Sequence, residues 1–311
     1  MHFLHIIPLL CLIAGFVLVN LTLFAGDKPG FMEEYAVIRV NMTNFGKDLF
    51  GTANDSDNSK DDKGNDNDKG GIGGILSGVL DDAKEKVTDK INDVGNSIAG
   101  KIAEELGIDE WYSIHIQEFC QGNFKNDSSG FEVLNCTASS PGNRINLTEI
   151  LDGELSVGPV DLSMADFRWP SGIQRQIARL NSALHAVFVF YVLAVALSGA
   201  AVLCNGVILF LPTFAPLLII ANAVLAGLAC VNIGLASAIT TIASGMAAET
   251  ITDLGEFVGV TAAQGTQFLV LTWVAFGIVT VAAGYWGNEF RKVRKTAKEM
   301  GRWEMKELSR A

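Results

Sequence analysis

Cysteine and histidine are the residue types in this chain that could carry redox, nucleophilic or metal chemistry, and there are five Cys and four His. Cys11, Cys204 and Cys230 fall within long apolar runs, where a small apolar side chain is a sufficient explanation. Cys120 and Cys136 lie instead in a polar region, the first of them within DEWYSIHIQEFCQG. In an oxidising compartment we expect this pair to form a disulfide, which would stabilise a small domain by roughly 3 kcal/mol.

The same residue types form no recognisable catalytic motif. The sequence contains no HExxH, paired CxxC, glycine-rich phosphate loop or GxSxG. The alternating pattern places His115 on the same side as Gln117, which predicts an exposed strand residue. We therefore expect no enzymatic activity, no catalytic or metal-binding residues, no cofactor and no small-molecule substrate. A net charge of −11 also disfavours nucleic-acid binding, which needs a positive surface.

Four apolar runs are long enough to cross a bilayer core, which takes roughly 20 helical residues. They predict transmembrane helices over residues 1–25, 183–211, 217–247 and 267–288. Pro212 and Pro216 indicate a tight hairpin between the second and third. The first run could also be a cleaved signal peptide, but no Lys or Arg precedes it and it is too long, so we expect a retained helix.

Charges and glycosylation sequons predict the orientation. The basic segment 289–311 follows the fourth run and is expected in the cytoplasm, together with the N-terminus. Residues 26–182 and a short loop, 248–266, would then be extracellular. We expect anionic lipids of the inner leaflet to contact Arg291, Lys292, Arg294 and Lys295. The long loop carries sequons, which are N-glycosylation candidates, at Asn41, Asn54, Asn126, Asn135 and Asn146.

The long loop combines strand, linker and helix patterns. Alternation predicts strands near 35–43, 111–120 and 131–136, the last two forming an antiparallel pair, and it places Ile38, Val40 and Met42 on one face. Residues 51–70 are too polar to form a core, so we expect disorder there. An apolar stripe every three or four residues predicts an amphipathic helix over 75–106.

The stretch around the first loop cysteine resembles the fungal Sur/PalI family of cortical-patch and pH-response tetraspan proteins, which are claudin-like in architecture. The family's tyrosine-serine strand, cysteine-x-glycine and second cysteine match Tyr112, Ser113, Cys120, Gly122 and Cys136. The resemblance implies a mainly α membrane protein. Its four-helix transmembrane bundle would carry a small disulfide-linked extracellular antiparallel sheet, here with one added extracellular amphipathic helix. The insertion 51–106 departs from the family pattern and leaves the branch open. Only residues 289–311 follow the fourth run, whereas the PalI branch has a long cytoplasmic extension, and this favours the cortical-patch branch.

The resemblance implies a plasma-membrane protein that organises a cortical, eisosome-type membrane domain linked to cell-wall integrity and endocytosis. Its partners would be membrane lipids and cortical proteins, including further copies of itself. Alternatives are an accessory protein of ambient-pH signalling or a regulator of calcium influx. A channel or transporter subunit is more remote, because spans two to four carry no ionisable group beyond His185. We expect Asn205, Asn222 and Asn232 to hydrogen-bond neighbouring helices instead.

Overall fold

A computed structural model describes residues 6–44, 109–125, 130–139, 171–210, 215–256 and 259–308. The predicted disordered segment 51–70 and the predicted helix 75–106 lie outside these residues. So do the sequons at Asn54, Asn126 and Asn146.

Four long α-helices make up most of the described chain: α1 (Ile6–Leu23), α2 (Ser171–Phe210), α3 (Ala215–Gly255) and α4 (Thr266–Leu308). Each is long and apolar enough to cross a membrane, as the sequence predicts. Three of them extend well beyond the predicted spans. Their additional turns carry charged residues such as Glu249 and Arg291, which a helix can hold where it projects past the hydrocarbon core.

The helices form a closed ring in which α1 packs on α2 and α4, and α3 packs on the same two helices. Small residues allow the close approach. A Cβ built on Gly234 of α3 would lie 2.8 Å from the Phe276 ring of α4, and one on Gly199 of α2 would lie 3.2 Å from Phe16 of α1. Large apolar side chains such as Leu203 face outward, where lipid would cover them.

Hydroxyl groups link the helices inside the ring. Thr272 of α4 hydrogen-bonds the hydroxyl of Tyr191 of α2 and, at 2.7 Å, that of Ser237 of α3. All three side chains are buried. A hydroxyl satisfied across a helix interface stabilises the bundle without introducing charge into lipid.

The three asparagines of the spans behave differently from one another. With its amide oriented to satisfy both neighbours, Asn222 donates to Ala201 O (2.9 Å) and accepts from Trp286 Nε1 (3.2 Å), so it links three helices as predicted. The prediction is wrong for Asn232, which is half-buried and donates to Leu228 O of its own helix. Asn205 is buried and its amide has no partner among the described residues, so the predicted contact is not found there either.

A five-stranded antiparallel sheet lies at one end of the bundle. Its strands are β1 (Ile38–Asn41), β2 (Trp111–Ile114), β3 (Phe119–Phe124), β4 (Phe131–Cys136) and β5 (Thr261–Gln264), in the order β4-β3-β2-β1-β5. The side chains of Ile38, Val40 and Met42 are buried, which confirms their predicted common face.

The predicted single strand 111–120 is wrong, because the chain turns back between β2 and β3. The His115 backbone N–H donates to Glu118 O (2.9 Å), and the Gln117 side chain donates to Leu23 O at the end of α1 (2.8 Å). These contacts stop the extended run after Ile114. Segment 131–136 does pair antiparallel with a neighbour, as predicted, but that neighbour is β3.

The predicted loop 248–266 contributes the end of α3 and the fifth strand. β5 pairs with β1, so β1 receives its second neighbour from a segment of the second loop. The outer edge of β5 is covered at one point: Thr252 Oγ1 of α3 accepts from Ala262 N (2.9 Å) and donates to Ala262 O (3.1 Å). A covered edge cannot recruit another strand there.

Candidate functional site

The sheet has an inner face on the bundle, where Tyr112 packs, and an outer face that carries the motif residues Ser113, Cys120, Gly122 and Cys136. Cross-strand register places one row of side chains across the outer face, formed by Ala263, Arg39, Ser113, Cys120 and Cys136. Each of these residues lies directly opposite the next, so a group above the row can contact several of them.

The predicted disulfide closes one end of this row. Cys120 and Cys136 face each other across β3 and β4, with Cα atoms 4.1 Å apart and an S–S bond of 2.03 Å. Cys120 is fully buried. Among the described residues the other cysteines, Cys11, Cys204 and Cys230, are unpaired and lie in the transmembrane helices.

A buried carboxylate covers the middle of the row. Glu33, in a 3₁₀ turn at Glu33–Tyr35, accepts a hydrogen bond from Ser113 Oγ, and its Oε1 lies 3.3 Å from His115 Nε2. Burial alone would raise the pKa of Glu33. The hydrogen bond and charge of His115, with smaller contributions from Ser113 and Arg39, outweigh burial and lower the pKa of Glu33 below its usual value.

Arg39 holds the other side of this cluster. Its Nη2 donates to the backbone oxygen of Glu33 (2.8 Å), and its guanidinium lies 3.7 Å from the centroid of the Phe131 ring. Burial lowers the pKa of Arg39, while Glu33 and Glu34 oppose that shift. The stacked and hydrogen-bonded guanidinium fixes the covering turn onto β1 and β4.

The prediction of an exposed His115 is wrong, since only 1% of this residue is exposed. The ring lies on the same side as Ser113, with its Nε2 3.3 Å from Ser113 Oγ, and it is buried because Glu33 and the backbone after α1 cover it. Gly26 contacts the ring so closely that a Cβ there would lie 2.5 Å from His115 Cγ, and its φ of +91° also favours glycine. The backbone after α1 therefore packs directly against the imidazole.

A second buried carboxylate follows in the turn. Glu118 is 3% exposed, and its carboxylate lies beside Ser139, Asp27 and His115. Burial raises the pKa of Glu118, nearby Ser139 partly offsets this, and the negative charge of Asp27 raises the pKa further. The turn thus contains an ionisable group that the fold disfavours in its charged form.

The other motif residues have structural roles in the same sheet. Tyr112 stacks on Phe119 with ring centroids 5.5 Å apart, and its hydroxyl accepts from the Asp109 backbone N–H (3.2 Å). Gly122 lies where β3 has a register irregularity, and a Cβ there would collide with the backbone oxygen of Glu132. Only glycine therefore allows β4 to approach β3 at this point.

The cluster offers little reactive chemistry. The Glu33 carboxylate lies within 4.8 Å of both disulfide sulfurs, a grouping that could hold a metal ion only if the thiols were free. Because the disulfide occupies both sulfurs, they are not available as thiolate ligands. The geometry fits a rigid buried polar network that fixes the sheet on the bundle.

A family model for the SUR7/PalI family matches residues 4–283. This chain belongs to the SUR7/PalI family. No curated protein matches the chain, and no solved structure matches it. The SUR7/PalI family is one of membrane structural and accessory proteins rather than a known enzyme family.

The remaining predicted site residues of this SUR7/PalI protein lie apart from the cluster. Arg291, Lys292, Arg294 and Lys295 are all exposed on α4. Lys292 pairs with Glu289 at 2.6 Å. The two described loop sequons are at the sheet: Asn41 is half-buried in β1, and Asn135 is exposed in β4.

No sequence pattern indicates Glu33 or Arg39 as site residues. Neither lies in a motif, and their partner Ser113 is distant in the chain. The structure joins them because the turn after α1 folds back over the outer face of the sheet.

Proposed function

We propose that this protein is a plasma-membrane tetraspan that organises a cortical membrane domain of the cortical-patch or eisosome type. The sheet would face the cell exterior and both termini the cytoplasm. The bundle would pack laterally with lipids and cortical proteins, including other copies of this chain. The role would be linked to cell-wall integrity and endocytosis.

One observation carries the proposal: the buried polar side chains of the described bundle are hydroxyls and amides, with no charged group among them. They comprise Thr22, Ser198, Asn205, Asn222, Ser237, Thr240, Ser244 and Thr272. Ion and proton pathways place ionisable groups within the membrane. A closed ring with a neutral interior supports a packing role over transport.

The position of the basic cluster supports contact with the inner leaflet. Arg291 follows Thr266, the first residue of α4, by enough helical turns to lie roughly 38 Å away at 1.5 Å per residue. A bilayer core is about 30 Å thick. With the sheet outside, the exposed cations would therefore lie just beyond the opposite, cytoplasmic surface.

The test neutralises this cluster in the full-length chain. In cells expressing a fluorescent fusion, we expect Arg291→Gln, Lys292→Gln, Arg294→Gln and Lys295→Gln together to disperse cortical patches. Each basic residue contributes about 1 kcal/mol of attraction to anionic lipid. The matched control exchanges Arg for Lys and Lys for Arg at the same four positions, which keeps the charge. Patches that persist in the neutral variant, with normal surface delivery, would contradict the proposed lipid contact.

A second candidate, an accessory role in ambient-pH signalling, is favoured by the buried titratable groups Glu33, His115 and Glu118 beside the motif strand. Glu118 faces Asp27 and His115, and Glu33 faces His115 and Arg39. If this cluster reports external pH, Glu118→Gln should shift the pH at which an alkaline-response reporter switches on. An unchanged reporter profile with normal surface levels would reject this candidate.

A further inference from the structure

An open groove lies on the outer face of the sheet, beside the buried cluster. Its volume is about 560 Å³, and residues of β1, β3, β4, β5 and the start of α4 line it. Aromatic and polar groups share its lining, which includes Phe124, Phe131, Arg39, Asn41, Thr261 and Gln267. Thr261 and Gln267 are exposed, so the groove is accessible from solvent.

Asn41 is part of this lining and is also the acceptor of the sequon Asn41-Met42-Thr43. In the register of the sheet it lies directly between Thr261 of β5 and Trp111 of β2. Its Oδ1 accepts from the Thr43 backbone N–H at 2.9 Å. Among the described residues that is the one hydrogen bond of the side chain, which leaves Nδ2, the atom that carries an N-linked sugar, free for linkage.

The groove has the chemistry that a sugar ring needs. A pyranose presents an apolar C–H face and a rim of hydroxyl and amide groups. Phe124 and Phe131, with ring centroids 5.6 Å apart, provide an aromatic wall. Thr261 and Gln267 also line the groove, and a hydroxyl and an amide are able to hydrogen-bond the rim.

We propose that this groove binds the inner N-acetylglucosamine residues of a glycan attached to Asn41. The linkage forms when Asn41 Nδ2 attacks C1 of a lipid-pyrophosphate-linked oligosaccharide; the lipid pyrophosphate leaves and Nδ2 loses one proton. The glycan then folds over the outer face toward β4 and covers the groove. The inference rests on the proposed orientation, which places the sheet in the compartment where N-glycans are added.

Asn135 provides an internal comparison, because its sequon is exposed on the edge strand β4 and its side chain does not line the groove. The experiment uses full-length protein purified in detergent from a glycosylating eukaryotic host. Glycopeptide mass spectrometry measures occupancy at each sequon. An endoglycosidase time course then measures glycan release from Asn41 and Asn135 in native protein and in reduced, denatured protein.

We expect Asn41 to be occupied and its glycan to be released at least ten-fold more slowly from native than from denatured protein. The Asn135 glycan should show much less protection. Phe124→Ala removes part of the aromatic wall and should accelerate release from Asn41 alone. If that variant misfolds, Gln267→Ala removes a rim contact from an exposed position and should give a smaller acceleration of the same kind.

The outcomes separate this inference from the proposed orientation. Two outcomes would overturn the inference and leave the orientation intact. In the first, other loop sequons are occupied but Asn41 is not. In the second, the Asn41 glycan is released equally fast from native and denatured protein. Loop sequons that are all empty would overturn both. If protein without a glycan at Asn41 binds a chito-oligosaccharide saturably, the groove is a site for an external sugar. That result would refute the proposal that the attached glycan fills it.

Discussion

Removing the Ser113 hydroxyl tests whether the buried network holds the sheet together. Ser113 is fully buried and donates to the Glu33 carboxylate. A hydrogen bond to a charged group contributes about 1.5–3 kcal/mol. Ser113→Ala creates no clash, so we expect a loss of about 2 kcal/mol, or about a 30-fold fall in the ratio of folded to unfolded protein.

Pulse proteolysis of the full-length protein in detergent across a urea series measures this loss. Ser182→Ala is the matched control, because Ser182 is exposed and its hydroxyl donates to Ala178 O of its own helix. We expect Ser113→Ala to lower the urea midpoint and Ser182→Ala to leave it near wild type. Equal midpoints for the two variants would refute the assigned role of the network.

The pH dependence gives a second check on the same reasoning. The pKa of Glu33 is lowered in the folded protein, so its stabilisation is complete above its usual value of 4.5 and is lost as the pH falls through the folded value. The Ser113 hydroxyl contributes to that lowering. The stability gap between wild type and Ser113→Ala should therefore narrow under acid conditions. A gap that stays constant to low pH would contradict the charge-assisted hydrogen bond.

Three further substitutions test packing, amide and carboxylate roles. Gly234→Ala should destabilise the helix pair by about 1–3 kcal/mol in thermal unfolding, because its Cβ meets an aromatic ring, whereas Gly227→Ala, with nothing within 4 Å, should not. Asn222→Leu should lower the free energy of unfolding by about 1 kcal/mol, because it breaks hydrogen bonds to two other helices. Asn232 is half-buried and bonds only its own helix, so Asn232→Leu should lower it less in the same assay. Glu118→Gln should stabilise the protein at neutral pH, where the raised pKa of this buried carboxyl disfavours ionisation. The gain should vanish in acid urea titrations, where Glu118 is protonated.

Much of the fold follows from local patterns in the sequence. Long apolar runs predict the four helices because only an intact helix satisfies its own backbone in lipid. The alternation of Ile38, Val40 and Met42 predicts the buried face of β1. Spacing and compartment together predict the disulfide between Cys120 and Cys136.

The rest depends on contacts between distant parts of the chain. Alternation continues through His115, but a local bond from His115 N to Glu118 O and a tertiary bond from Gln117 to Leu23 O turn the strand back there. The short segment TAAQ of β5 has little strand propensity. It forms a strand because its backbone pairs with β1 and hydrogen-bonds the Thr252 hydroxyl. Glu33 becomes a site residue only when the turn after α1 folds over the sheet, which no local pattern in FMEEYAVIRV encodes.

The position of β5 sets the order in which this protein can mature during synthesis. The strands on one side of β1 are complete once the ribosome has passed Cys136, so oxidation to the disulfide can precede completion of the bundle. The other edge of β1 stays unfilled until α3 has been inserted and Thr261–Gln264 has emerged. A nascent polypeptide that has not yet reached Thr261–Gln264 therefore leaves one edge of β1 unpaired, and such an edge is a template for pairing with another chain.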